Sequence, residues 1–154
     1  RDIPARYTDL VQLGITEMAK QMTGASLEVH LAAASCSVNM VRIPLNPLEL
    51  SVYYVLARRC KGGEGYLHGG HELYEAVENA LQGPDIADNP RFHQARDMFK
   101  TKAPDDMRKI VSAISDKLRK ALRDDALADQ CVPASTRRRG AYGLRLKPGE
   151  ITIE

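Results

Sequence analysis

Pro104-Asp-Asp-Met-Arg-Lys-Ile-Val-Ser-Ala-Ile-Ser-Asp-Lys-Leu-Arg-Lys-Ala-Leu-Arg-Asp-Asp125 is the stretch whose reading decides the fold. A proline and two carboxylates open it, as the positive end of a helix dipole favours. Ile110, Ile114, Leu118 and Leu122 then recur every fourth residue, joined by Met107, Val111 and Ala121. At about 100° per residue these positions cover one continuous face. The opposite face gathers Arg108, Lys109, Ser112, Ser115, Asp116, Arg119, Lys120 and Arg123. Short hydroxyl residues in its middle let a groove approach closely, and Arg and Lys flank them. That is the composition of a helix lying in a DNA major groove. Asp124-Asp125 would oppose the dipole at the far end, so the helix is predicted to have stopped by then.

Downstream, Ala126 to Pro133 reads as a linker. Tyr142, Leu144 and Leu146 alternate with Gly143, Arg145 and Lys147, which predicts a strand, and Ile151 and Ile153 alternate again. Arg137, Arg138 and Arg139 stand beside Gly140, as the tip of a hairpin would. Three adjacent like charges repel one another, so a polyanion-facing role explains them better than solubility does.

Upstream, Leu45-Asn-Pro-Leu-Glu49 carries the clearest helix start in the chain. Asn46 is placed to cap, Pro47 to occupy the first turn and Glu49 to close a capping box. Leu48, Val52, Val55 and Leu56, with Leu45 ahead, supply a buried stripe, and Arg58, Arg59 and Lys61 suit the C-terminal end. Residues 61–65 read as a flexible connector, His71 to Leu81 as a second helix stopped by Gly83-Pro84, and Arg91 to Phe99 as a short helix after a loop. Nearer the start, Pro4 to Met22 reads as a helix ended by Thr23-Gly24. Leu27, Val29 and Leu31 then alternate with polar residues, and a second strand-like segment runs through Val38, Met40, Val41 and Ile43. The small-residue run Ala32 to Ser37 separates these two segments, which are suited to pair as a hairpin.

The expected fold class is therefore α+β, mostly α: a winged helix-turn-helix with an N-terminal helix and a β-hairpin. Residues 1–24 form a linker or dimerisation helix in this reading, and residues 25–154 the winged domain. Composition agrees: 154 residues with 44% hydrophobic residues suffice for one core. Two Phe, six Tyr and no Trp argue against a stacking platform for single strands. The net charge of +2 hides a segregation. Residues 1–99 hold 9 Lys/Arg against 12 Asp/Glu, whereas residues 100–147 hold 13 against 6. No apolar run is long enough to span a membrane and no signal peptide is visible, so a cytoplasmic protein without membrane partners is expected. The start at Arg1 without Met reads as an excised fragment, with an upstream domain expected before it.

At these residues the chain resembles known families. Ile43 to Arg59 resembles the first helix of OmpR/PhoB-type effector domains, Val111 to Lys120 their recognition helix, and Thr136 to Leu146 their wing. The insertion at 83–104 exceeds that pattern. A stronger similarity, over roughly residues 27–154, is to the C-terminal region of CRISPR-associated proteins with an N-terminal CARF sensor. Those proteins pair a Leu-Asn-Pro-Leu-Glu-Leu helix with a Tyr-Gly-Leu-Arg-Leu wing strand. The resemblance implies an antiviral-defence regulator, an upstream CARF-type domain sensing cyclic oligoadenylate, and a homodimer. Double-stranded DNA is then the expected partner. Arg108, Ser112, Ser115 and Arg119 would face base edges, Lys109, Lys120 and Arg123 phosphates, and Arg137–Arg139 the flanking minor groove or backbone. The alternative is an interaction or dimerisation module that relays the sensor's state without binding nucleic acid.

No catalytic residue, metal or cofactor is expected. His68 and His71, with Cys60 or Glu64, lack diagnostic ligand spacing, and Gly62-Gly-Glu-Gly65 lacks the Gly-Lys-Ser/Thr ending of a P-loop. Cys131, read as lying in a loop, has no His and Asp/Asn set placed to activate it. Cys36, Cys60 and Cys131 read as reduced thiols serving first as small hydrophobes. An arginine-assisted ribonuclease would need a general base, and no His occurs in residues 100–154.

Overall fold

A computed structural model describes residues 24–136 and 141–154. Strands β1 (Leu27–His30), β2 (Ser35–Val38) and β3 (Val41–Ile43) come first. Helix α1 (Pro47–Lys61) follows, then strand β4 (Leu67–His68), α2 (Gly69–Gln82), α3 (His93–Phe99), α4 (Met107–Leu122) and α5 (Asp125–Cys131). Strands β5 (Ala134–Thr136), β6 (Ala141–Gly143) and β7 (Ile151–Ile153) end the chain. The class is α+β: five helices and two small sheets among the described residues. The predicted helix Pro4–Met22 lies outside those residues.

The first sheet has the order β3-β2-β1-β7. Leu27 and Val29 face the core and Glu28 and His30 do not, as the period-two pattern requires. The expected second strand is in fact two, because the chain turns at Asn39-Met40, both at positive φ (49° and 68°). Two such residues make a tight turn whose twist matches the strands it joins. Asn39 Oδ1 also accepts from Ser26 N at 2.6 Å, which holds the turn against the start of β1. The run Ala32–Ser37 is only partly a connection, since Ser35 to Ser37 belong to β2. Strand β7 pairs parallel to β1, Leu27 opposite Ile151, and brings the end of the chain beside the start of the sheet.

The capping box at α1 forms as the spacing predicts. Asn46 Oδ1 accepts from Glu49 N at 2.8 Å, and Glu49 Oε1 accepts from Asn46 N at 2.9 Å. The expected apolar stripe is too narrow: every residue from Leu48 to Ala57 is buried, Glu49 and Ser51 included. α1 is enclosed on all sides because α2, α3 and α4, and strands of both sheets, pack around it. Burial of Glu49 is made tolerable by Lys117 of α4, whose Nζ lies 2.5 Å from Glu49 Oε1. Ser51 satisfies its hydroxyl by donating to Pro47 O at 2.7 Å.

The second sheet, β4-β6-β5, joins the connector after α1 to the C-terminal hairpin. Residues 61–65 turn, with Arg59 Nη2 donating to Gly65 O, and lead into β4, a strand the composition does not suggest. β6 is shorter than expected and stops at Gly143. Leu144 and Leu146 stay buried beyond it, where the Cys60 thiol donates to Leu146 O at 2.9 Å. A Cβ at Gly143 would collide with the ring of Tyr66, so this strand is held flush against an aromatic face. The supposed linker 126–133 contains helix α5. Arg123 takes a left-handed φ of 53° that ends α4, and Asp124 caps α5 by accepting from Leu127 N. Seven residues after a break, about two turns, are too few to show in apolar periodicity.

Replacing Asn46 by Ala should lower stability by about 1 kcal/mol, measured by urea unfolding. Lys117→Met should cost more, about 2 kcal/mol, because it leaves a buried carboxylate without its cation. Equal and negligible losses would show that the Glu49 cluster does not set the position of α1.

Candidate nucleic-acid interface

α4 is built as an amphipathic rod. The 3₁₀ turn Pro104–Asp106 starts it, and Asp106 Oδ2 accepts from Ala103 N at 2.8 Å. Gly70 of α2 admits this turn closely: a Cβ there would sit 2.7 Å from Pro104 O. Met107, Val111, Ile114, Leu118 and Leu122 are buried, and Ile110 and Ala121 pack against them. Lys117 points to Glu49 on one flank. Arg108, Lys109, Ser112, Asp116, Arg119 and Lys120, with Arg123 just past the end, are exposed.

Not all of the expected contact residues present themselves equally. Ser115 is half-buried, and its hydroxyl donates to Val111 O at 3.1 Å, so it offers no free donor to a base edge. Arg119 is exposed, but its Nη1 lies 2.9 Å from Asp129 Oδ1 of α5. That partner could not be read from sequence, because α5 itself was not legible there. The outward ridge is therefore Lys109, Ser112, Asp116, Lys120 and Arg123, about 120–180° round from the centre of the buried row. Arg108 and Arg119 stand on its flank. In the hairpin that follows, Thr136 pairs with Ala141, and the four residues between them, Arg137, Arg138, Arg139 and Gly140, lie outside the described ones.

Elsewhere the candidate chemistry disperses. His71 Nε2 contacts Glu75 Oε1 at 3.1 Å, while the backbone N of His68 donates to the Glu72 carboxylate. Among the described residues no group of three or more His, Cys, Asp or Glu side chains is arranged to hold a metal ion. Nor, among those residues, is any helix long and apolar enough to cross a membrane. A cavity of about 530 Å³ lies between α2 and α3, with the stacked rings of Tyr74 and Phe99 (centroids 4.6 Å apart) among its walls, and α4 contributes nothing to it.

Cys131 is not in a loop. It is the last residue of α5 and buried, and its backbone carbonyl accepts from the hydroxyl of Tyr53 at 2.7 Å. Burial pushes the Cys36 and Cys131 thiols from 9.0 up to about 12, which keeps both protonated and unreactive at neutral pH. Tyr53, also buried, is pushed upward for the same reason.

Comparison with protein-family models, with curated proteins and with solved structures finds no match to this chain.

The thiols make a prediction about alkali. The unfolded chain releases their protons near pH 9, the folded chain only near 12. Between those values the unfolded state binds fewer protons, so stability falls as pH rises. Urea unfolding followed from pH 8 to 11 should show the decline, and a Cys36→Ala, Cys131→Ala double variant should show a shallower one. At pH 8 a thiol reagent should leave Cys36 and Cys131 unmodified in the native protein.

Proposed function

We propose that this is a winged-helix domain that binds double-stranded DNA, with α4 in the major groove and the β5–β6 hairpin as the wing. The observation that carries the reading is α4 itself: one buried apolar row opposite an exposed ridge of Lys109, Ser112, Asp116, Lys120 and Arg123, in which three cations outnumber one acid, flanked by Arg108. Element order supports it. The resemblance to OmpR/PhoB-type domains implies a first helix, a recognition helix and a wing in that order. α1, α4 and the β5–β6 hairpin follow it, with α3 and α5 added on either side of α4 and the hairpin sharing a sheet with β4. Arg137–Arg139 fall between the paired ends of that hairpin, where a wing meets the backbone or minor groove. With the resemblance to CARF-bearing proteins, the reading extends to a dimeric, sensor-coupled regulator of CRISPR-associated defence.

One observation favours the second reading, an interaction module that relays a sensor's state. Residues 104–131 hold six Lys/Arg but also six Asp, so the α4–α5 unit is neutral as a whole. A neutral surface gives weak electrostatic attraction to a polyanion.

Fluorescence anisotropy of the protein with random-sequence duplex DNA, over a salt series, separates the two. DNA binding predicts micromolar affinity at low salt and a steep fall of log K with log salt. Replacing Lys109, Lys120 and Arg123 by Ala should flatten that slope by about 0.9 for each phosphate no longer neutralised. Absence of binding at low salt selects the interaction module.

A further inference from the structure

Asp116 is the one acid on the outward ridge of α4. It stands one turn after Ser112 and one turn before Lys120, with Lys109 and Arg123 two turns away on either side. The other charged side chains that α4 places against the protein are engaged, Lys117 with Glu49 and Arg119 with Asp129. Among the described residues Asp116 makes no hydrogen bond, and no cation lies within 4.0 Å of it. The rotation that buries Ile114 and Leu118 turns this unpaired carboxylate outward, to the exposed side of α4.

A helix that only tracked phosphates would be hindered by an acid at its centre. A carboxylate there makes sense as a selector. Ionised aspartate only accepts hydrogen bonds. In the major groove guanine offers acceptors, thymine an acceptor and a methyl group, and adenine a donor beside an acceptor, while cytosine offers its amino donor alone. Resting on the DNA reading above, we propose that Asp116 is the specificity-determining residue of α4, accepting from the exocyclic amino group of one cytosine and repelling the other bases. Selection would then come as much from the penalty on wrong bases as from the contact with the right one. Ser112, short and one turn away, leaves room for the groove to close on it.

The test is selection from random-sequence duplexes by the wild type, Asp116→Ala and Asp116→Asn, with anisotropy on a fixed random duplex beside it. The wild type should require cytosine at one position, by about tenfold over other bases. Asp116→Ala should lose that one preference, keep the remaining positions and bind the random duplex more tightly, since a repulsion has gone. Asp116→Asn should move the preference to adenine, because an amide both donates to N7 and accepts from N6. The residue is exposed, so thermal unfolding of both variants should match the wild type and separate recognition from folding. Wild-type binding with no cytosine position, or an Asp116→Ala variant that keeps it, overturns the role of Asp116 and leaves DNA binding standing. No wild-type binding at low salt overturns both.

Discussion

The carboxylate of Glu49 is the contact on which the arrangement of helices depends. It is buried, and one of its oxygens accepts from both Asn46 N and Lys117 Nζ. A charge removed from water must be paired and hydrogen-bonded, or it costs several kcal/mol. Meeting that requirement ties the first turn of α1 to the third turn of α4. Once Lys117 faces α1, the pitch of an α-helix leaves little choice about the rest of α4. Ile114 and Leu118 turn inward, and Lys109, Asp116 and Lys120 outward. A single ion pair, between the buried Glu49 and the half-buried Lys117, therefore orients the surface that would meet a partner.

α1 is the axis to which the remaining elements are attached. Its polar groups reach in several directions: Tyr53 to the end of α5, Cys60 to the stretch after β6, and Lys61 Nζ to Ile151 O of β7 at 2.6 Å. These are mostly bonds to backbone carbonyls in segments without long helices of their own. Each gives a backbone acceptor a hydrogen-bond partner from α1. In this way the hairpin, the last strand and the first sheet are referred to one helix, although they are far apart in the chain. The parallel pairing of β1 with β7 closes the arrangement.

Charge on the α4–α5 surface is balanced rather than concentrated. A uniform basic patch favours any polyanion, whereas interspersed acids reduce affinity for most partners and leave selectivity to the few complementary ones. Asp129 beside Arg119 and the unpaired Asp116 act in that sense on the flank and the ridge of the same helix. A surface of this kind trades strength of association for discrimination, whether it meets DNA or protein.

Sequence alone determined what depends on neighbours a few residues apart. The Asn46–Glu49 capping box, the buried row of α4, the stop before Asp124 and the alternation of Leu27 and Val29 all follow from local periodicity and cap chemistry. The ridge of α4 was legible for the same reason, since one face is the complement of the other. Tertiary structure decided what depends on contacts across the chain. It enclosed α1 on every side, gave Lys117 to Glu49 and Arg119 to Asp129, and turned a presumed linker into α5. It also split one expected strand at Asn39-Met40 and added β4, two residues long and without a pattern of its own. Short elements carry too few residues for a period to show, and ion pairs between distant segments leave no spacing signal. Both come into being only when the core brings their partners within a few ångströms.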